Sequence, residues 1–507
     1  MLFQALSSRT SSAFKATLHC TAALSCLLLG GCWQSVPDFS SLKGDVLKMV
    51  KLDQPEDTHG FINQTTSDKT QMPHSMARWW ETIDDPLLQR YVDKLLKQNL
   101  DITQATQRIM QARTELTTAR SDFLPSLTTT QNAGRSFAPN ATTDQRQYAN
   151  SFGADLDISW QLDLFGKIRK STEAAQARFD ATIYEREALA QSLVAALLER
   201  RVAIAVQAHM LTLSEQIATN AKNTLDIVKR RYEAGANGVT LAEVYSAQNA
   251  YDMAMASTHD YDIALHENIY ALDVLLGDQP GTNQPLIESF PLASTPPSAP
   301  ACLPASLLDR RPDLKSSELA LKAASADISV AVADLYPNLT LGGSLGVTGD
   351  STGNLLTADR LAGSLLGTLT TRLFEGGALR ANIQMREAQA REQAALYAQN
   401  ILGAIEEVEN AMKSERELSN KLLSAQHAFD TLTKAEDVAQ KRYERGTITA
   451  QDLLEARNNT LNAGITLHQT QQNLWSARTA LYLALGGNWF GGHNACKMAN
   501  NGQDTEK

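Results

Sequence analysis

The chain has 507 residues, 43% of them hydrophobic and 6% aromatic, with a formal net charge of -10. That length allows more than one domain, the composition is that of a folded protein, and the acidity argues against a nucleic-acid partner.

The N-terminus reads as a targeting segment, 1–31. Arg9 and Lys15 supply its charge, Ala16 to Leu29 its apolar run, and Leu29-Gly30-Gly31-Cys32 its end. A cysteine directly after small residues resembles a bacterial lipobox, which implies that Cys32 is acylated, with palmitate among its lipids. Trp33-Gln34 lacks the aspartate that retains such lipoproteins in the inner membrane, so the resemblance implies the outer membrane. The plainer alternative is an ordinary signal peptide and an incidental cysteine. No later apolar run approaches the roughly 18 residues of a transmembrane helix. Residues 32–80 read as a lipidated tether: 35–76 is polar and irregular, with Pro37, Pro55 and Pro73, a loose segment or a strand laid on a surface. Order is expected from Trp79-Trp80, and Asp84-Asp85-Pro86 caps a helix.

The remainder is written twice, as repeats at 81–279 and 313–487. Helical stretches 101–124 and 314–336 end in Phe123-Leu124-Pro125-Ser126-Leu127 and Leu335-Tyr336-Pro337-Asn338-Leu339. Alternating segments follow, then Leu162-Asp163-Leu164-Phe165-Gly166 and Thr371-Arg372-Leu373-Phe374-Glu375-Gly376, each entering a long proline-free helix. The helices turn at Arg231-Tyr232-Glu233-Ala234-Gly235 and Arg442-Tyr443-Glu444-Arg445-Gly446, and the return helices close at Gly277 and Gly486. The proline-rich connector, 280–312, and the tail, 488–507, stand outside the repeats.

From Gly377 to the second turn, apolar residues fall three and four apart: Ile401, Ile405, Val408, Met412, then Leu422, Ala425, Phe429, Leu432, Ala439, Tyr443. That is a coiled-coil seam. One helix over this span measures about 100 Å, and a second from about Ala450 to Leu485 makes an αα-hairpin. Met210, Leu213, Ile217, Leu225, Val228 and Tyr232 give the first copy the same seam. Such helices span a distance.

Strands are expected at about 125–137, 150–163, 338–348 and 360–374. From Phe152 to Leu162 every second residue is apolar or small and the others are glycine or polar. Leu339, Leu341, Leu345 and Val347 repeat the period, as do Leu361, Gly363, Leu365, Gly367, Leu369 and Leu373. The first strand is weaker, with threonines in place of leucines. Strands of this length and alternation suit a membrane barrel; a soluble sheet packed on one face is the alternative. Four strands cannot close a barrel, and lipid does not tolerate open edges, so the membrane reading requires several chains to pool them.

No H-E-x-x-H, phosphate loop or C-x-x-C is present, and neither enzyme chemistry, metal nor cofactor is expected. His427 and His468 read as solvated or packed, alone in helical seams. Asp155 and Asp157 read as the wet face of a strand rather than a cation site. Ser306 and Asp309 read as part of the cap of the next helix. Of five cysteines, Cys20 and Cys26 leave with the targeting segment, and Cys302 and Cys496 remain.

Leu303-Pro304-Ala305-Ser306-Leu307-Leu308-Asp309-Arg310-Arg311-Pro312-Asp313-Leu314, the Asp163-to-Gly166 segment and Ala484-Leu485-Gly486-Gly487-Asn488-Trp489 resemble signatures of TolC-like outer-membrane efflux proteins. With the lipobox, they are similar to the lipoprotein, NodT-type branch that serves resistance-nodulation-division pumps. The resemblance implies a fold mainly α with a membrane β-barrel: a homotrimer pooling four strands per protomer into twelve, long hairpins forming a periplasmic α-barrel, and a belt from connector and tail. It implies passive export of small toxic compounds received from an inner-membrane transporter through a periplasmic adaptor. The adaptor is expected to dock at the turns, on Arg231, Tyr232, Gly235, Arg442, Tyr443 and Gly446, although Gly235-Ala236-Asn237-Gly238 makes the first turn two residues longer. Asp452 and Glu455, on one helical face, are the expected acidic constriction, with Glu455 preferred. Cys302 and Cys496 would meet if both lie in the belt. A duct for secreted proteins and a pore-less periplasmic spacer are the rival readings.

Overall fold

The computed structural model describes residues 37–50, 80, 83, 85–139, 146–235, 239–282, 311–354 and 357–486. Cys32 and the targeting segment, most of the connector, Cys302, Cys496 and the tail lie outside the described residues.

The duplication is visible in element lengths. Helices α3 (Leu100–Ser121) and α6 (Pro312–Ala333) have 22 residues each. Helices α4 (Lys167–Glu233) and α7 (Ala378–Glu444) have 67 each, and α5 (Leu241–Leu275) and α8 (Ala450–Ala484) 35 each. A hairpin stands between the first and second helix of each set: β1 (Ser126–Pro139) with β2 (Arg146–Leu162), and β3 (Asn338–Gly349) with β4 (Leu361–Thr370). At 1.5 Å per residue α4 and α7 are each about 100 Å long. Among the described residues no helix is long and apolar enough to cross a membrane.

Local chemistry sets the ends. Asp163 accepts the backbone N–H groups of Ile168 and Arg169, both at 3.0 Å, and so starts α4. Gly277, with φ 81°, stops α5, and a Cβ there would lie 2.7 Å from the Gln98 carbonyl oxygen. Helix α2 (Pro86–Gln98) opens as expected, with Asp85 accepting the Leu87 N–H at 3.0 Å. Arg311 holds the N-cap position of α6 without a side-chain bond, and Ser306 and Asp309 lie outside the described residues.

The core gathers midway along the long helices. Leu88 and Leu95 of α2 pack among Leu197, Leu198 and Val206 of α4, Leu276, and Trp475 of α8. A second cluster joins α6 and α7 to a helix the sequence reading missed, α1 (Phe39–Met49). Asp38 caps α1, and Leu42 and Val46 bury against Leu314, Leu321 and Ala394. The segment read as an irregular tether therefore contains a docked helix, its Lys43 paired with Glu318.

The strands form one antiparallel sheet in the order β1-β2-β3-β4. Strand β4 stops at Thr370, so Leu373, expected in the strand, lies beyond it. Thr370 pairs with Asn338, and the preceding Pro337 has no N–H with which to continue the ladder.

Candidate functional site: the sheet faces and the hairpin turns

Register decides which side chains share a face. Leu127 pairs with Ile158, Ile158 with Gly343, and Gly343 with Leu365. Leu156 with Leu345, Trp160 with Leu341 and Leu339 with Leu369 extend the same apolar face. The opposite face carries Thr128, Thr130, Asp155, Asp157, Gln161, Ser344 and Ser364. The expected parity therefore holds in the sheet, and Leu366 is the large apolar exception on the polar side. Glycines fit both faces: a Cβ on Gly343 would lie 2.9 Å from Ile158 Cγ2, and one on Gly346 would collide with Asp155 Oδ1. In the single chain Leu365 is 88% exposed, so none of the described residues covers the apolar face there.

Aromatic rings mark both ends of that face. Near the helices the Trp160 indole N–H donates to the Phe123 carbonyl at 2.9 Å, and Phe165 stacks on Tyr336 at 4.9 Å. At the hairpin end Phe137 and Tyr148 are cross-strand partners with ring centroids 6.1 Å apart.

At the opposite end of the helices lie the two turns. Gly446 has φ 72°; its N–H donates to the Tyr443 carbonyl at 2.8 Å and the Thr447 N–H to that of Arg442 at 2.9 Å. This double closure needs a left-handed residue, hence the glycine. Gly235, φ 68°, donates likewise to Tyr232. Arg231, Tyr232, Arg442 and Tyr443 are exposed beside them. Ala236, Asn237 and Gly238 lie outside the described residues; helices α4 and α5 end and resume at Glu233 and Leu241, α7 and α8 at Glu444 and Ala450, so the first turn is the longer.

Asp452 has a defined local task. Its carboxylate accepts the Thr449 N–H at 2.8 Å while Thr449 Oγ1 accepts the Asp452 N–H at 3.2 Å, a capping box opening α8. Those bonds, the Thr449 backbone first, hold its carboxyl below the usual range. Thr240 and Glu243 build the same box on α5. Glu455, one turn on, is exposed.

His468 is not alone. Its ring stacks on His209 of α4, centroids 4.9 Å apart and planes 7° apart. Arg311, in the signature preceding the second repeat, is a structural clamp: it donates to the Ala484 carbonyl at 3.0 Å and pairs with Asp313 at 2.8 Å and Glu407 at 2.7 Å. Burial lowers its pKa, but the two carboxylates outweigh that and hold it above the ordinary value.

Gly342-Gly343-Ser344-Leu345-Gly346 spells the G-x-S-x-G of hydrolases. Ser344 lies within strand β3, its hydroxyl 2.7 Å from that of Ser364, and not on the strand-to-helix turn that exposes a nucleophile. Among the described residues no group of three or more His, Cys, Asp or Glu could hold a metal ion.

The family model described as outer membrane efflux protein matches residues 91–278 and 303–487. Nodulation protein T of Rhizobium leguminosarum bv. trifolii is 26% identical over 81% of this chain and 88% of its own length. The solvent efflux pump outer membrane protein SrpC of Pseudomonas putida is 26% identical over 91% of this chain and 97% of its own. The solved outer-membrane channel OprN superposes with a TM-score of 0.73, 26% identity, 85% of this chain and 98% of that one.

Proposed function

The chain belongs to the outer membrane efflux protein family, and we propose that it works as the homotrimeric duct of a tripartite pump, passing small toxic compounds from the periplasm to the outside. It is an outer-membrane efflux channel with a large periplasmic part. One observation carries the trimeric duct: a four-stranded sheet, apolar on one face and polar on the other, with both edges unpaired among the described residues, at the end of hairpins about 100 Å long. In lipid those edges must be closed, and three protomers supply twelve strands.

The rest of the chain fits that use. Apolar residues of α5, Tyr245, Met253 and Ile263, are exposed in the single chain, where α5 packs on α4, and a neighbouring protomer would cover them. The turns at Gly235 and Gly446 would receive a periplasmic adaptor, which connects an inner-membrane resistance-nodulation-division transporter. Cys32 would carry the lipid anchor. A relative named for solvent efflux supports small compounds as cargo.

The test is conductance and oligomeric mass of the purified chain in planar bilayers, beside compound sensitivity of a strain lacking its gene. Trimers that conduct, with hypersensitivity restored by the gene, are expected. Non-conducting trimers would make the chain a spacer, and loss of a secreted protein without hypersensitivity would make it a secretion duct.

A further inference from the structure

Four charged residues stand on the four strands: Arg135, Arg146, Asp155 and Asp157. The register separates them by sign. Both aspartates are on the polar face. Arg135 alternates in step with Leu127 and Phe137, and Arg146 with Tyr148 and Ile158, so both arginines are on the apolar face.

Both also lie at the hairpin end, over the Phe137–Tyr148 pair. The Arg135 guanidinium carbon is 4.8 Å from the Tyr148 centroid and that of Arg146 is 5.5 Å from Phe137. They approach from opposite directions along the strands, since Arg146 pairs with Pro139 and Arg135 with Asn150. From Trp160 to Tyr148 the strand runs about 40 Å at 3.3 Å per residue, which a 35–45° tilt reduces to about 30 Å. The two aromatic levels then bracket one hydrocarbon core, and the upper pair sits at the outer interface. Arg135 starts below that level and reaches up over Tyr148, its apolar stem left in the band.

A guanidinium on a lipid-facing surface is unfavourable unless it reaches the interface, where it meets water and lipid phosphate. No ion pair among the described residues involves either arginine. Stacking on a ring occupies a guanidinium's face and leaves its N–H edge free, the edge that grips phosphate in two-pronged fashion. We propose that Arg135 and Arg146 form a docking site for a phosphorylated lipid headgroup of the outer leaflet. This rests on the membrane-spanning reading of the sheet.

The test uses the full-length channel purified in detergent and titrated with diphosphoryl lipid A, with its dephosphorylated counterpart and with inorganic phosphate, read by native mass spectrometry. Wild type should retain diphosphoryl lipid A, the R135Q/R146Q variant at least about ten-fold more weakly, and R135K/R146K in between. If the double variant does not assemble, the single variants R135Q and R146Q carry the comparison. Unchanged retention in the glutamine variants overturns the site. So does equal retention of the dephosphorylated lipid, or displacement of lipid A by inorganic phosphate. The same preparations are assayed in planar bilayers. A conducting wild type with unaltered lipid retention in the variants defeats the headgroup site alone; a wild type that never conducts defeats the membrane reading beneath it.

Discussion

Arg201 Nη2 of α4 lies 3.0 Å from Asp85 Oδ2, and the two side chains are 2% and 6% exposed. The pair locks α2 to the mid-height core, with the guanidinium also 5.7 Å over Tyr91. The same carboxylate caps α2 through the Leu87 N–H. Removing it takes away a carboxylate that faces a buried guanidinium, which costs about 3–5 kcal/mol. Asp85→Ala is therefore expected to lose that much in denaturant unfolding followed at the helical signal, and Asp85→Asn less, because the cap survives. A loss below about 1 kcal/mol for Asp85→Ala would show that Arg201 is held by other groups.

The His209–His468 stack makes a pH prediction. Burial holds His468 below its ordinary 6.5, the charge of His209 acts in the same direction, and the Gln471 contact at 3.0 Å opposes both. The folded state therefore favours neutral imidazole, and the unfolded chain binds more protons just below that value. The stability contribution is full above 6.5 and is lost as pH falls from there through the lower folded value. Hydrogen exchange around residues 209 and 468 should quicken on acidification, and His468→Gln should flatten the response. An identical acid response in that variant would place the sensitivity elsewhere.

The faces of the sheet predict unequal damage. Leu156→Arg and Leu345→Arg, which pair on the apolar face nearer the middle of the span between Trp160 and Tyr148, should each destabilise the assembled channel by about 2–4 kcal/mol. Gln161→Arg, on the polar face, should assemble normally and shift ion selectivity in planar bilayers. Equal loss of assembly from both sets would mean that the apolar face does not meet lipid.

Lipid anchoring at Cys32 is read from the mass of the mature N-terminus, expected to be an acylated cysteine. Each buried methylene adds about 0.8 kcal/mol, so several chains anchor firmly. Cys32→Ala should still assemble through its sheet but reach the membrane less efficiently. An unmodified mature terminus at any other residue rules the anchor out.

The periodic features were legible, because periodicity and glycine placement are local. Strand parity from Phe152 to Leu162, the seam through Ile401 and Val408, and the closing turns at Gly235 and Gly446 all needed only short windows of sequence. Helix α1 was signalled by Asp38 with Leu42, Val46 and Val50 four apart, but three turns of helix between prolines read as tether. His209 is 259 residues from His468 in the chain, and no local pattern announces such a stack. Thr449-x-x-Asp452 spells a capping box, so the local task of Asp452 was readable beside its candidacy for the constriction. Arg135 and Arg146 acquire meaning only from register, which fixes the face they share.

The turns carry the last prediction. A Cβ on Gly446 would meet nothing within 4 Å, so a large side chain there projects into open space rather than into its own chain. The positive φ alone strains any other residue by about 1–2 kcal/mol. Gly446→Ala carries that strain without the bulk and serves as control. Gly446→Trp should leave trimers in the membrane and abolish efflux, while Gly446→Ala should export. Failure of both would assign the defect to the turn's conformation, and normal export by the tryptophan variant would remove the adaptor from this site. The acidic residues separate in the same way. Asp452→Asn disturbs the box that opens α8, so it should alter the turn as well as the current. Glu455→Ala should change single-channel conductance and its response to divalent cations with the turn intact, because Glu455 is exposed one turn further along. If three copies stand near an axis they repel one another, and closure would then come from contacts between neighbouring hairpins. An adaptor that replaced those contacts would shift the tip between two states. Unaltered conductance in Glu455→Ala, alongside a change in Asp452→Asn, would move the constriction to the capping residue.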